Sequence, residues 1–589
     1  MDKAAIVRRW DDTLNRRATN PKVRPLEAAI RESVEPGDLI YLGGSLAKPN
    51  AAMFELIRAF AGQSPDFTVA TPAFANQHVP LVHSGLVRKA ITAIHGAIFP
   101  APGPNPVYNR ALEEGRIEFE SWSLLTFALR LKAGAMGLPF LPTRSLIGSD
   151  LGLELERKGL VSRIADTVGG AELTIVRALH PDVAIIHGLA ADPHGNTVLC
   201  PPYYDNTSAA FAAKRSVIVT VERVVEPRFI RRYAHLTKVP GSVVTAVCEV
   251  PLGGHPTGLN GEPIPEIDGY LDDYGFLQDI RDASESPEAM ESWIEEWITG
   301  CNGHAAYLAK LGSERVKRLK AETAPDTWKR EVSTRSSRPR TTPATQAETQ
   351  ICIAARAIRE RIRTYGYRVL LAGLGVSSLA AWLAAFTWWE EGGAIELLVE
   401  AGSYGYVPMP MDPFLFNYRN IQTAAALGDL EQVLGVMTGG FQNQALGVLA
   451  AAQVDQDGNL NSSHLPGLLL TGSGGANDIA SAAAEILVTV PHSSRRLVRR
   501  VDFITSPGQR VRTIATGRAL LERDEDNSFQ ITHVVGKAGA QADELVREMQ
   551  TISDWNMPAS PVVQIIEPAT AAELELIRVF DPEGFFLGI

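Results

Sequence analysis

The sequence lacks most of the features that would settle its chemistry at a glance. Its 589 residues include four cysteines, Cys200, Cys248, Cys301 and Cys352, far apart and in no Cys-x-x-Cys pair. That argues against a disulfide framework or a zinc site and suits a reducing, cytoplasmic setting. There is no G-x-x-x-x-G-K-[ST] phosphate loop, no H-E-x-x-H zinc motif and no G-x-S-x-G elbow, since Gly472-Ser-Gly-Gly475 has the wrong spacing. Nothing calls for a metal or a permanently bound cofactor. Positive charge is in deficit, with 56 Lys and Arg against 67 Asp and Glu and a net charge of −11, so a nucleic-acid partner is not expected. The first 15 residues carry charge throughout and have no apolar core, unlike a secretory signal.

Long apolar runs are also scarce. The one candidate, residues 369–389, is uncharged and long enough to span a bilayer. Its interior argues otherwise: 369–372 reads as a buried strand, Gly373-Leu-Gly375 as a turn and Ser377 as the cap of a helix. No membrane span is expected.

What remains is an ordinary globular composition, 45% hydrophobic and 21% charged, in a chain long enough for two to four domains. Residues 320–346 are rich in Ser, Thr, Pro and Arg and read as a linker. They separate domains expected at 1–319 and 347–589. The two parts echo each other. Gly37-Asp-Leu-Ile-Tyr-Leu-Gly-Gly44 precedes a helical stretch, as does Tyr367-Arg-Val-Leu-Leu-Ala-Gly-Leu-Gly375. An Asp-x-x-Gly-Asn turn ends an apolar run twice, at Asp192–Asn196 and at Asp455–Asn459. Apolar runs at 216–221, 242–247, 395–399, 485–490 and 503–505 read as strands alternating with helices. The fold class is α/β: two related open domains with mostly parallel sheets.

Ligands of such sheets bind beyond the carboxyl ends of strands. Glu400 stands there, after the run 395–399 and before Ala401-Gly402. By position alone such an acid often caps a turn. Thr471-Gly-Ser-Gly-Gly-Ala-Asn477 opens an Ala-rich helix, and its amides suit an anion, although a tight strand-to-helix connection needs no ligand. Arg495, Arg496, Arg499 and Arg500 follow His492 and can hold phosphates or form a solvated face. Tyr404, Tyr406 and Met409 suit either a less polar ligand or the core.

Taken in order, these pieces resemble the glutaconate CoA-transferase type of family I CoA-transferases, with the two subunits fused. Leu-Leu-Val-Glu-Ala-Gly402 is similar to the segment bearing the second subunit's nucleophilic glutamate. Thr471–Asn477 resembles its glycine-rich motif, and the run from Arg495 to Gly508 its Arg-Arg segment and following turn. Gly37–Gly44, Ala135–Pro142 and Asp182–His187 resemble the first subunit. The resemblance implies the family I CoA-transferase fold, with an acyl-CoA and a small carboxylic acid as partners and coenzyme A thioester as substrate. Glu400 would be the covalent nucleophile in a ping-pong cycle, ionised at neutral pH given a reference pKa of roughly 4.3. Gly402, Gly474, Gly475, Ala476 and Asn477 would form the oxyanion or CoA site; Gly43, Gly44, Ser123, Arg495 and Arg496 are candidate substrate or CoA contacts. A homo-oligomer of the fused chain is expected. Ring-opening hydrolases and decarboxylases of the same fold, and a non-catalytic CoA-ester or sugar-phosphate sensor, are the alternatives. The carboxylate at position 400 favours transfer.

Overall fold

The computed structural model describes residues 2–14, 20–44, 46–166, 169–334, 342–440, 442–537, 539–555 and 557–588. The expected linker at 320–346 contains a helix, Thr327–Thr334, and its residues 335–341 lie outside the described set.

Each half is built on a parallel sheet. In the first, β1 (Leu39–Leu42) is followed by α1 (Asn50–Ala59), then by β2 (Phe67–Ala70), β3 (Val87–Thr92) and β4 (Glu118–Ser121). After α2 (Leu124–Ala135) come β5 (Val183–Ala191), β6 (Ser216–Val224) and β7 (Ala246–Glu249). Parallel pairings give the order β4-β3-β2-β1-β5-β6-β7. Every residue of β5 is buried, which explains its unbroken apolar run.

The second half opens with α3 (Gln346–Tyr365), β8 (Val369–Ala372), α4 (Val376–Glu390) and β9 (Glu396–Val399). It continues through β10 (Ala445–Ala450), α5 (Ala476–Ala482), β11 (Glu485–Thr489) and β12 (Val511–Ala515). The parallel order β9-β8-β10-β11-β12 repeats β2-β1-β5-β6-β7. Beyond this repeat, β13 (Ala519–Arg523) and β14 (Phe529–Val535) add antiparallel strands, and β15 (Ala559–Ile566) and α6 (Ala571–Phe580) end the half.

The twin turns are the same device. Asp192 Oδ1 accepts the amides of His194 and Asn196, and Asn196 Nδ2 donates to Asp192 Oδ2. Asp455 Oδ1 accepts those of Asp457 and Asn459, and Asn459 Nδ2 donates to Asp455 Oδ2. Gly195 and Gly458 take φ of 96° and 78°, which explains the glycine at each fourth position.

Three local expectations fail. Gly375, at φ 104°, occupies the N-cap of α4, and Ser377 lies inside the helix donating to the Gly373 carbonyl. The strand expected at 242–247 begins only at Ala246, because Gly241–Val244 closes a turn. Residues 503–505 form no strand. The Ile504 amide donates to Asp150, and those of Thr505 and Ser506 donate to the Leu460 carbonyl, so this stretch bridges loops instead of joining the sheet. Among the described residues no helix is long and apolar enough to cross a membrane; the apolar run at 369–389 is β8 and α4.

Candidate active site

The end of β9 delivers Glu400 into a tight turn. The Gly402 amide donates to the Val399 carbonyl, and Gly402 has φ 119°. A Cβ at that position would meet the Gly428 carbonyl oxygen at 2.4 Å, so the chain doubles back only because the residue is glycine. Glu400 is 9% exposed, and its Oε2 accepts the Gly475 amide at 3.1 Å. A Cβ on Gly475 would lie 2.1 Å from that oxygen. The backbone of the glycine-rich loop therefore touches the carboxylate directly.

That loop also joins the two halves. The Gly474 amide donates to the Ala93 carbonyl, the Leu124 amide to the Gly474 carbonyl and the His95 amide to the Thr471 carbonyl, each at 3.0 Å. Asn477 Oδ1 accepts the Leu146 amide and its Nδ2 donates to the Thr505 carbonyl, both at 2.8 Å. Ser123, the N-cap of α2, is fully buried and donates to Asp478 Oδ1 at 2.6 Å, while the Leu125 amide reaches Asp478 Oδ2. Asn477 and Ser123 are thus committed to the seam between halves. The Gly475 amide points at Glu400, whereas that of Gly474 is taken by Ala93.

The expectation of a fully ionised glutamate needs correction. Burial pushes the Glu400 carboxyl up to about 7, the charge of Asp478 adds to the rise, and the Gly475 N–H opposes it. Asp478 is itself pushed up to about 6 by burial, with the Ser123 hydroxyl and the Leu125 amide holding it down.

Two cavities meet at Glu400, and Ile94, Ile98 and Phe416 also line both. The more enclosed one lies largely in the first half. Pro72, Phe99, Leu277 and Phe414 are among its apolar walls, and Lys48, Gln77, Tyr204 and Asp272 among its polar groups. The more open one runs along Leu374, Ser377, Leu449, Ser462 and the loop from Thr471 to Ala476. Of the expected residues, Gly474, Gly475 and Ala476 line the open cavity and Gly44 the enclosed one. Gly43 packs behind it, its amide donating to the Ile185 carbonyl. Arg495 and Arg496 are exposed; Arg496 Nη1 donates to the carbonyl of Ala452, two residues beyond the cavity-lining Ala450. Tyr404 and Tyr406 are absent from both cavity walls, and the Tyr406 hydroxyl accepts the Trp382 indole N–H. Sequence reasoning missed Asp478, although it directly follows the glycine-rich motif. It also missed Lys48, Gln77 and Asp272, which carry no local motif.

This architecture has been solved before. The acyl-CoA transferase apoenzyme of Escherichia coli O157:H7 matches 95% of this chain and 97% of its own at a TM-score of 0.62 and 15% identity, sharing the fold. The first of the two subunits of glutaconate CoA-transferase from Acidaminococcus fermentans is 30% identical over 314 residues, 51% of this chain and 94% of the relative. The second of the two subunits of 3-oxoadipate CoA-transferase from Pseudomonas knackmussii is 26% identical over 234 residues, 36% of this chain and 86% of the relative. The protein is an enzyme, a CoA-transferase that carries regions like both subunits in one chain. It belongs to the Coenzyme A transferase family, whose model matches residues 23–250 and 441–522.

Proposed function

We propose that this enzyme moves CoA from an acyl-CoA to a carboxylic acid through a thioester on Glu400. The observation that carries the reading is the place of Glu400, a buried carboxylate common to two cavities with a backbone N–H on one oxygen. The enclosed cavity would take the acyl group and the open one the pantetheine arm, with Arg495 and Arg496 toward the nucleotide phosphates. Residues 1–319 and 347–589 would act as the two functional domains, and the chain as a homo-oligomer.

Glu400 attacks the thioester carbonyl and expels CoA thiolate, leaving a mixed anhydride. The thiolate then adds to the Glu400 carbonyl carbon. Negative charge gathers on a Glu400 oxygen, for which the Gly475 N–H is the donor at hand. Collapse releases the first carboxylate and leaves glutamyl-CoA. A second carboxylate attacks that thioester, and the same steps run backwards to the new acyl-CoA and free Glu400. One thioester replaces another, so no nucleotide hydrolysis is required.

The test is intact mass and peptide mapping after incubation with acyl-CoA esters and no acceptor. A CoA adduct on the Glu400 peptide, absent in Glu400→Ala and discharged by a carboxylic acid, supports the cycle. Steady release of free CoA without an acceptor would mark a hydrolase instead.

A further inference from the structure

Two carbonyls are attacked in turn in the proposed cycle, and each needs a donor as negative charge gathers on its oxygen. The Gly475 N–H is at hand for the glutamyl carbonyl, and the Gly474 N–H is spent on Ala93. The acyl carbonyl, attacked first, still lacks one.

Most side-chain donors of the enclosed cavity are committed. Asn76 Nδ2 donates to the Phe99 carbonyl and the Thr257 hydroxyl to that of Gly254. The Lys48 ammonium answers the charge of Asp272, and Gln77 Nε2 is sealed from solvent. Tyr204 lines the same cavity and differs from all of these. Among the described residues its hydroxyl has no hydrogen-bond partner, and it is not one of the sealed polar atoms. Glu400 Oε1 stands likewise: Oε2 takes the Gly475 amide, whereas Oε1 is neither partnered nor sealed.

The phenol also feels the charge of the nucleophile. Burial, then the charges of Glu400 and Asp205, push the Tyr204 hydroxyl far above its ordinary value, so it keeps a hydrogen to donate.

Its place is fixed relative to the turn that carries Glu400. Tyr204 takes φ 54°, a left-handed conformation that a non-glycine residue holds where its surroundings enforce it. The enforcement comes from residues 428–430 of the second half. The Gly428 carbonyl accepts the Tyr203 amide at 3.0 Å, and the Leu430 amide donates to the Tyr204 carbonyl at 3.3 Å. The Gly428 amide in turn donates to the Gly402 carbonyl at 2.8 Å, two residues beyond Glu400. One short segment thus holds both the phenol and the carboxylate.

We propose that Tyr204 is a catalytic residue supplied by the first half, donating its hydroxyl hydrogen to the acyl carbonyl oxygen as Glu400 Oε1 attacks. An electron pair of Oε1 forms the bond to the acyl carbon, and the C=O π pair moves onto the oxygen held by Tyr204. Its return breaks the C–S bond and expels CoA thiolate, with the phenol protonated throughout. This inference rests on the transfer reading above. Each half then supplies one donor, Tyr204 for the acyl carbonyl and Gly475 for the glutamyl carbonyl.

The experiment uses Tyr204→Phe in the full-length enzyme, which removes the hydroxyl and keeps the backbone bonds. Loading of Glu400 from an acyl-CoA is expected to slow about 100-fold. The glutamyl-CoA, once formed, is then cleaved with hydroxylamine, which attacks the glutamyl carbonyl alone and releases CoA as the hydroxamate forms. Tyr204→Phe should leave that rate unchanged, and Gly475→Ala should lower it. Unchanged loading, or loss of both rates together as a distorted site would give, overturns the inference and leaves the transfer mechanism standing. If no ester loads the native enzyme, the mechanism falls and binding decides. Kd is then measured in Glu400→Gln for an acyl-CoA and for its S-alkyl thioether, which lacks the carbonyl. Adding Tyr204→Phe should weaken the thioester about threefold or more and leave the thioether as it was. An equal effect on the two, or none, overturns the inference.

Discussion

At the residue scale, the site reduces to one acid and one amide. Glu400→Gln should lower transfer by about 10⁴-fold or more, because it removes the bond-forming oxygen and not a mere contact; steady-state assay beside melting of the variant checks this. Gly475→Ala should cost about 100-fold in kcat, since its Cβ would fall 2.1 Å from Glu400 Oε2 and disturb the amide aimed at the developing charge. In the proposed cycle the reactive form of Glu400 is the carboxylate, so with its pKa pushed to about 7 the loading rate should climb as pH rises through that value. The Asp478 charge opposes ionisation of Glu400, so Asp478→Asn should move the rising limb to lower pH. A pH–rate profile of both proteins tests the sign. The place of Glu400 at the end of an apolar run was legible in the sequence. Its candidacy as nucleophile came from the resemblance of residues 397–402, since by position alone such an acid often caps a turn. Its raised pKa was not legible, because that depends on burial and on Asp478, which only the fold brings near. Gln77 and Asp272 were invisible for the same reason: 195 positions of sequence separate two residues that line one cavity.

At the scale of elements, the glycine-rich loop before α5 does two jobs, touching the Glu400 carboxylate and holding the halves together. Asn477→Ala would orphan the buried Leu146 amide and Thr505 carbonyl, a cost of about 2–5 kcal/mol. Denaturant unfolding should register that loss. The second half is fastened by Arg578 of α6, whose Nε donates to Glu348 Oε1 of α3 at 2.6 Å with side chains 3% and 0% exposed. Arg578→Met should destabilise by about 3–5 kcal/mol, because it strands a buried carboxylate. Strand and turn elements were legible where their own residues set the geometry, as with the two Asp-x-x-Gly-Asn turns. Residues 503–505 were misread because their amides are satisfied by Asp150 and Leu460, partners remote in sequence. Ser377 was misread as a cap because the left-handed turn at Gly375 starts the helix two residues earlier.

At the scale of the whole molecule, several buried acids set the pH response of stability. Burial pushes Glu400, Asp205 and Asp412 up to about 7, above ordinary carboxylate values. A raised carboxyl stabilises the fold below its unfolded pKa, and that contribution is lost as pH climbs through the folded value. His78, His95, His304 and His492 are pushed down to between about 3 and about 4, so they act in the opposite sense only below their ordinary 6.5. Between pH 6.5 and 8 the acids dominate, and Lys48, which burial pushes down to about 8, opposes them only near the top of the interval. The melting temperature should therefore fall from pH 6.5 towards 7.5, less steeply in Glu400→Gln. The duplication of the sheet was legible from its paired motifs and a site where the halves meet from the resemblance, whereas which residues of each half line the cavity was not. Where β9 ends there is an acid; where β2 ends, Thr71-Pro72-Ala73 has none, and Pro72 and Ala73 face the same cavity from the other side. In the proposed cycle this twofold frame would therefore carry a single loading position. Titrating the enzyme with its ester should saturate at one equivalent of CoA per chain, and any plateau at half that value would report coupling between separate chains, not unequal sites within one.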